Sequence, residues 1–253
     1  MTQTIIAMVN QKGGVGKTTT AINVAAQLAG AKTSVLLVDL DPQGNATSGL
    51  GLPRENAAKT TYDVLMGAAS IADAVQETHV AQLYVLPSNS NLAGAEVELV
   101  GQPQREFALH KALQSAAYDY IIIDCPPSLG LLTINGLTAA TTVLIPVQAE
   151  YYALEGLSQL LNTVQAVRGS TNPGLELLGI ALTMFDKRNS LSEQVQQEVE
   201  NYFGDKLFDT VIPRNVRLAE APSYGRTIYE HDRWSKGARA YKALAKEIQS
   251  RTS

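Results

Sequence analysis

Ile5-Ile6-Ala7-Met8-Val9-Asn10-Gln11-Lys12-Gly13-Gly14-Val15-Gly16-Lys17-Thr18-Thr19 joins an apolar run to a glycine-rich turn and then to a helical pattern. Five apolar residues without alternation suit a strand covered on both faces. The turn carries Gly16-Lys17-Thr18 in register, in the strand–turn–helix context that a phosphate-cradling loop requires. Glycines let consecutive backbone N–H groups curl around phosphate oxygens with no Cβ in the way. The helix that follows adds its positive end. The expected nucleotide contacts are Gly13, Gly14, Val15, Gly16, Lys17, Thr18 and Thr19, with Lys17 reaching the β- and γ-phosphates and the Thr18 hydroxyl binding Mg²⁺. The plain alternative is a tight glycine turn with no ligand.

Outward from this stretch, apolar runs recur at 35–38, 83–86, 120–123, 143–147 and 177–183. Helix-compatible spacing fills 18–29, 104–116, 131–140, 153–167 and 192–203. This alternation predicts an α/β fold, a mostly parallel twisted sheet flanked by helices on both faces, in a single domain over 1–253. In such sheets ligands lie beyond the carboxyl ends of the strands. Apolar residues make up 45% of the 253, enough for a sizeable core, and no apolar run approaches the ~20 residues that span a bilayer. The start lacks the basic flank of a signal peptide, so a soluble, cytoplasmic protein is expected. One cysteine, Cys125, excludes an intramolecular disulfide framework, and three scattered histidines offer no ligand spacing. A small apolar role for Cys125 is the expectation.

Two further strand ends carry carboxylates, in Leu37-Val38-Asp39-Leu40-Asp41-Pro42-Gln43-Gly44-Asn45 and Ile121-Ile122-Ile123-Asp124-Cys125-Pro126-Pro127-Ser128. Asp39 and Asp41 straddle a leucine and so point the same way. An apolar strand ending in Asp is how nucleotide-hydrolysing folds of this kind hold the Mg²⁺ shell. The plainer readings are helix caps and Asx-turns. Charge is uneven: net −4 overall, but 8 basic against 14 acidic side chains over 1–180 and 9 against 4 over 210–253. A basic tail on an acidic body suggests a surface facing a polyanion; a solvated helix face is the alternative.

The loop departs from G-x-x-x-x-G-K-[ST] by Gln11 at the first glycine position, followed by an additional lysine, Lys12. Here the chain resembles the deviant Walker A class of P-loop ATPases. With Asp39–Asn45, Asp124–Ser128, the stretch 146–156 and Val211-Ile212-Pro213-Arg214-Asn215-Val216-Arg217-Leu218-Ala219-Glu220-Ala221-Pro222, it is similar to the ParA/Soj-type partition ATPases over nearly its whole length. The resemblance implies ATP and Mg²⁺ as ligands, a homodimer that encloses both nucleotides, binding to double-stranded DNA without regard to sequence, and hydrolysis stimulated by a ParB-type partner. It implies that Lys12 reaches the partner's phosphates, that Lys17 is catalytic, and that Asp41 orients the attacking water. Thr18, Asp39 and Asp124 serve the metal in that scheme. Arg188 and Arg217 correspond to DNA-contacting arginines, with Arg214 a neighbouring candidate; a surface salt bridge is the plainer role for each. Adenine is implied near Pro213 and Asn215, with Met184 close by.

A second relative, the MinD type, binds membranes through a C-terminal helix. Residues 236–251 place Ala238, Tyr241, Leu244, Ala245 and Ile248 on one face, but without a Phe or Trp cluster, which favours packing on the domain over a membrane role. A nitrogenase-type iron protein needs more cysteines than this chain has. A nucleotide sensor without turnover stays open, and from the short N-terminus the extra DNA-binding domain of some plasmid relatives is not expected.

Overall fold

The computed structural model describes residues 3–54, 57–150 and 153–253, so Tyr151 and Tyr152 of the 146–156 stretch lie outside the described residues. Seven strands form one sheet: β1 (Thr4–Met8), β2 (Val35–Asp39), β3 (Gln76–Glu77), β4 (Leu83–Leu86), β5 (Tyr120–Asp124), β6 (Thr142–Gln148) and β7 (Glu176–Thr183). Their order is β3-β4-β2-β5-β1-β6-β7, parallel throughout except for β3, a two-residue antiparallel edge that the apolar pattern does not signal.

Strand residues alternate between two cores. In β1, Ile6 and Met8 face one apolar cluster while Ala7 and the following Val9 face the other. In β5, Ile122 joins the first cluster and Ile121 and Ile123 the second. Both faces are covered, which is why the runs read as continuous rather than alternating. The Lys17–Leu28 helix and the Lys236–Thr252 helix cover the Ile6 face, with Ile22, Leu28, Tyr241, Leu244 and Ile248 buried. The apolar face of the last helix is thus spent on the core. Among the described residues no helix is long and apolar enough to cross a membrane.

The helix expected over 104–116 is instead a 3₁₀ turn, Arg105–Phe107, followed by a short helix, Ala108–Leu113. Asn135, fully buried on the Leu131–Ala139 helix, is the cause: its Nδ2 donates to the Arg105 carbonyl at 2.9 Å and its Oδ1 accepts from the Leu109 N–H at 3.1 Å. Those two groups are an i, i+4 pair that would otherwise bond each other. A side chain from a neighbouring helix has been inserted into the ladder.

Register positions the site. Met8 pairs with Asp124 and Asp39 pairs with Asp124, so the ends of β1, β5 and β2 share one row. The glycine-rich loop and both acidic loops leave the sheet side by side, where the chain order switches direction around β1.

Candidate functional site

Asn10 anchors the start of the loop. Its Nδ2 donates to the Pro146 carbonyl at 2.7 Å and its Oδ1 accepts from the Lys12 N–H. The Thr183 hydroxyl at the end of β7 donates to the Val15 carbonyl at 2.7 Å. Val15 is buried, so its side chain wedges the loop and only its backbone can serve a ligand. Gly14 and Gly16 have φ of 76° and 84°, the left-handed region where a side chain is strained. The Lys17–Leu28 helix therefore starts from Gly16 with no side-chain cap and no acidic residue in its first turn. Its leading N–H groups stay available to an anion. The Thr20 hydroxyl bonds the Gly16 carbonyl at 2.7 Å and lies 3.1 Å from the Tyr241 hydroxyl, tying the loop to the last helix.

Lys17 is 7% exposed, and no ion pair engages it among the described residues. Behind it, Asp124 is fully buried and neither carboxylate oxygen has a hydrogen-bond partner. Burial lifts its pKa to about 6, Lys17 and Thr18 pull it down, and Asp41 pushes it up. A buried carboxylate beside a threonine hydroxyl, with both oxygens unmet, suits Mg²⁺, which takes one or two protein oxygens and completes its shell with phosphate and water. No group of three or more His, Cys, Asp or Glu residues suited to hold a metal occurs among the described residues. A cation here would have to arrive with phosphate oxygens.

The two carboxylates after β2 differ. Asp39 is fully buried and its Oδ2 accepts from the Thr47 N–H at 2.8 Å and the Thr47 hydroxyl at 2.7 Å. Burial and the nearby Asp124 push its pKa to about 7, against the Thr47 bonds. It organises the loop in this chain, and to ligate a metal it would have to surrender part of that network. Asp41 is 5% exposed and accepts from the Gln43 N–H at 2.9 Å, the Asx-turn foreseen for an Asp before Pro. Cys125 is fully buried, and burial together with Asp124 pushes its thiol well above the ordinary range, so it is an apolar spacer.

Two cavities adjoin the loop. One, about 350 Å³, is lined by Gly14, Lys17 and Thr18 and also by Asn45, Ser48 and Pro222, which the sequence reading did not single out. The second, about 320 Å³, brings Met184, Pro213 and Asn215 together with Ile212 and Leu218. Gly16, Thr19 and Met184 line both. Met184 holds φ at 51°, a conformation that costs a non-glycine residue about 1–2 kcal/mol and is concentrated at functional positions. Asn215 caps the Val216–Glu220 helix, accepting from the Arg217 N–H at 2.8 Å.

Three of the four cations expected to reach a second protomer or DNA are occupied within the chain, and Arg214 alone of the four has no ion pair among the described residues. Lys12 Nζ lies 3.0 Å from Glu150 Oε2. Arg188 makes two bonds to Asp186, at 3.0 and 2.9 Å. Arg217 pairs with Glu220 at 2.9 Å and lies 3.8 Å from Asp232. Arg188 and Arg214 line an open groove of about 860 Å³ with Lys187, Lys236 and Arg239. Arg217 lies off this groove; Lys236 and Arg239 were legible only as part of the basic tail, and Lys187 only as the neighbour of Arg188.

A family model described as an AAA domain matches residues 3–177. The chain is 57% identical over 246 residues to the sporulation initiation inhibitor protein Soj of Bacillus subtilis, covering 96% of this chain and 97% of that one. It is 55% identical over 249 residues to the chromosome partitioning protein ParA of Myxococcus xanthus, covering 98% and 88%. A cobyrinic acid a,c-diamide synthase from Mycobacterium smegmatis, solved with an ATP analogue and magnesium, superimposes with a TM-score of 0.84 at 39% identity, over 97% of this chain and 93% of that one.

Proposed function

The chain belongs to the ParA/Soj family of chromosome-partitioning ATPases, and from that premise we propose that it is an ATP-driven switch for holding DNA. In this reading ATP occupies the two joined cavities, with its phosphates in loop 10–19 and its base between Met184, Pro213 and Asn215. The observation that carries it is Asp124, a buried carboxylate with no partner beside Lys17 and Thr18, below a helix start that has no cap of its own.

Asp124 and Thr18, with Asp39 in support, would hold Mg²⁺, which when bound would supply neutralisation of phosphate charge. Lys17 and the N–H groups of Gly14 to Thr19 stabilise negative charge on the transferring phosphoryl group without reorganising. Asp41 orients the attacking water. Lys12 reaches the phosphates of a second protomer, closing a homodimer around two nucleotides. The paired protomers present Arg188, Arg214 and Arg217 to double-stranded DNA irrespective of sequence. A ParB-type partner accelerates hydrolysis and releases the dimer, so the protein resides on the nucleoid in the cytoplasm. The MinD-type alternative gains no support, because the face it would use is buried.

Sedimentation on nonspecific duplex with ADP, ATP and a slowly hydrolysed analogue tests the reading. Retention with the last two only is expected. Asp41→Ala is expected to lower turnover by about 10²–10⁴ while the ATP-bound dimer persists. Equal retention in all three nucleotide states, or unchanged turnover in Asp41→Ala, would refute it.

A further inference from the structure

The groove that holds Arg188 and Arg214 differs from the paired arginines beside it. Among the described residues no ion pair engages Lys187, Arg214, Lys236 or Arg239, and the only acidic side chain lining the groove, Asp186, is already bonded to Arg188. Such a concentration of unneutralised cations calls for an anion that runs the length of the groove.

Trp234 lies two residues before Lys236, which lines the groove. It is the chain's only tryptophan and is 76% exposed, where an indole of this size is ordinarily covered. Asp232, two residues back, is the carboxylate that Arg217 approaches. The loop carrying Trp234 therefore connects the groove to the predicted DNA arginine outside it. The main chain at Trp234 is tied down, its backbone N–H donating to Asp232 Oδ1 at 3.2 Å, and the Arg233 guanidinium lies 4.9 Å from the ring centroid. An exposed aromatic among unpaired cations is the combination used to grip nucleic acid, the cations on phosphates and the ring against sugars or base faces.

We propose that Trp234 packs against duplex DNA seated in the Lys187–Arg239 groove, an apolar contact within an otherwise electrostatic grip. This inference rests on the DNA-holding function proposed above and adds to it a residue and a groove wall. Each kind of contact has its own signature. A cation on a phosphate releases counterions, so removing it lowers the slope of log affinity against log salt by ~0.9. Removing an uncharged ring weakens binding at every salt concentration and leaves the slope alone.

The test uses the intact protein with ATP and a fluorophore-labelled, mixed-sequence duplex. Binding by anisotropy is expected to coincide with a saturating change in intrinsic tryptophan fluorescence, which only Trp234 can produce. Trp234→Ala is expected to weaken binding about tenfold with an unchanged salt slope, and Trp234→Phe to restore most of the affinity. Lys236→Ala with Arg239→Ala is expected to flatten the slope. Duplex binding with a silent indole and an unaffected Trp234→Ala variant would overturn the inference and leave the proposed function standing. A flat anisotropy titration would overturn both. Phosphatidylglycerol vesicles that shift the indole spectrum while duplex does not would assign this face to a membrane instead.

Discussion

Lys12, Arg188 and Arg217 are each assigned a target outside the chain, and each rests on a carboxylate within it. Solvent-exposed pairs of this kind contribute little, so opening them is cheap beside a contact with a phosphate in an enclosed site. The same weakness limits how firmly Glu150 can hold Lys12. If Lys12 crosses to a second protomer, that pair must open first, and Glu150→Ala removes the competitor. The ATP concentration at half-dimerisation, followed by light scattering, is expected to fall by up to about fivefold, whereas Lys12→Ala should not dimerise at all. Normal dimerisation of Lys12→Ala would show that its bond to Glu150 is its whole role. From the sequence Lys12 was conspicuous, but Glu150 was not identified as its partner, because residues 138 positions apart meet only once β6 lies beside β1.

At the scale of elements, the Leu131–Ala139 helix packs tightly against the ends of β2 and β5 at Gly136. A Cβ built there would lie 2.7 Å from Cys125 Sγ and 3.3 Å from Leu40. Both neighbours are fully buried and have nowhere to retreat. Gly136→Ala is expected to cost about 1–3 kcal/mol by overpacking, which for a protein of this size is a Tm lower by several degrees. Because sulfur is the obstruction, Gly136→Ala combined with Cys125→Ala should recover most of that loss in a thermal double-mutant cycle. Additive effects would locate the strain elsewhere. Six of the seven strands were readable because each is a dense apolar run, and the Lys17–Leu28 helix because a glycine turn announces its start. What was not readable came from distant partners. Asn135 breaks the 104–116 helix from another element, and β3 exists only as a partner to β4. In the site, the loop and Asp124 follow from local motifs and the grouping of Met184, Pro213 and Asn215 from the family resemblance alone, whereas Asn45, Ser48 and Pro222 join it through packing.

At the scale of the whole molecule the proposed function meets an electrostatic objection, since a chain of net −4 should be repelled by DNA. The answer lies in distribution and copy number. Residues 1–180 carry the excess of acid, while six of the twelve cations of 181–253 lie on one groove or on the Val216–Glu220 helix beside it. One such face binds weakly; two held together by ATP gain about 10²–10⁴ in avidity without any new contact. Affinity for duplex should therefore track dimerisation rather than nucleotide occupancy itself. Arg217→Glu tests this because it alters the DNA face without touching loop 10–19. With ATP, its affinity for nonspecific duplex is expected to fall more than tenfold, and its salt slope to flatten by ~1.8 per dimer, ~0.9 for each arginine withdrawn from a phosphate. Light scattering should still find the dimer. If the variant dimerises and holds duplex with the wild-type slope, Arg217 serves only Glu220 and Asp232, and the grip belongs to the groove alone.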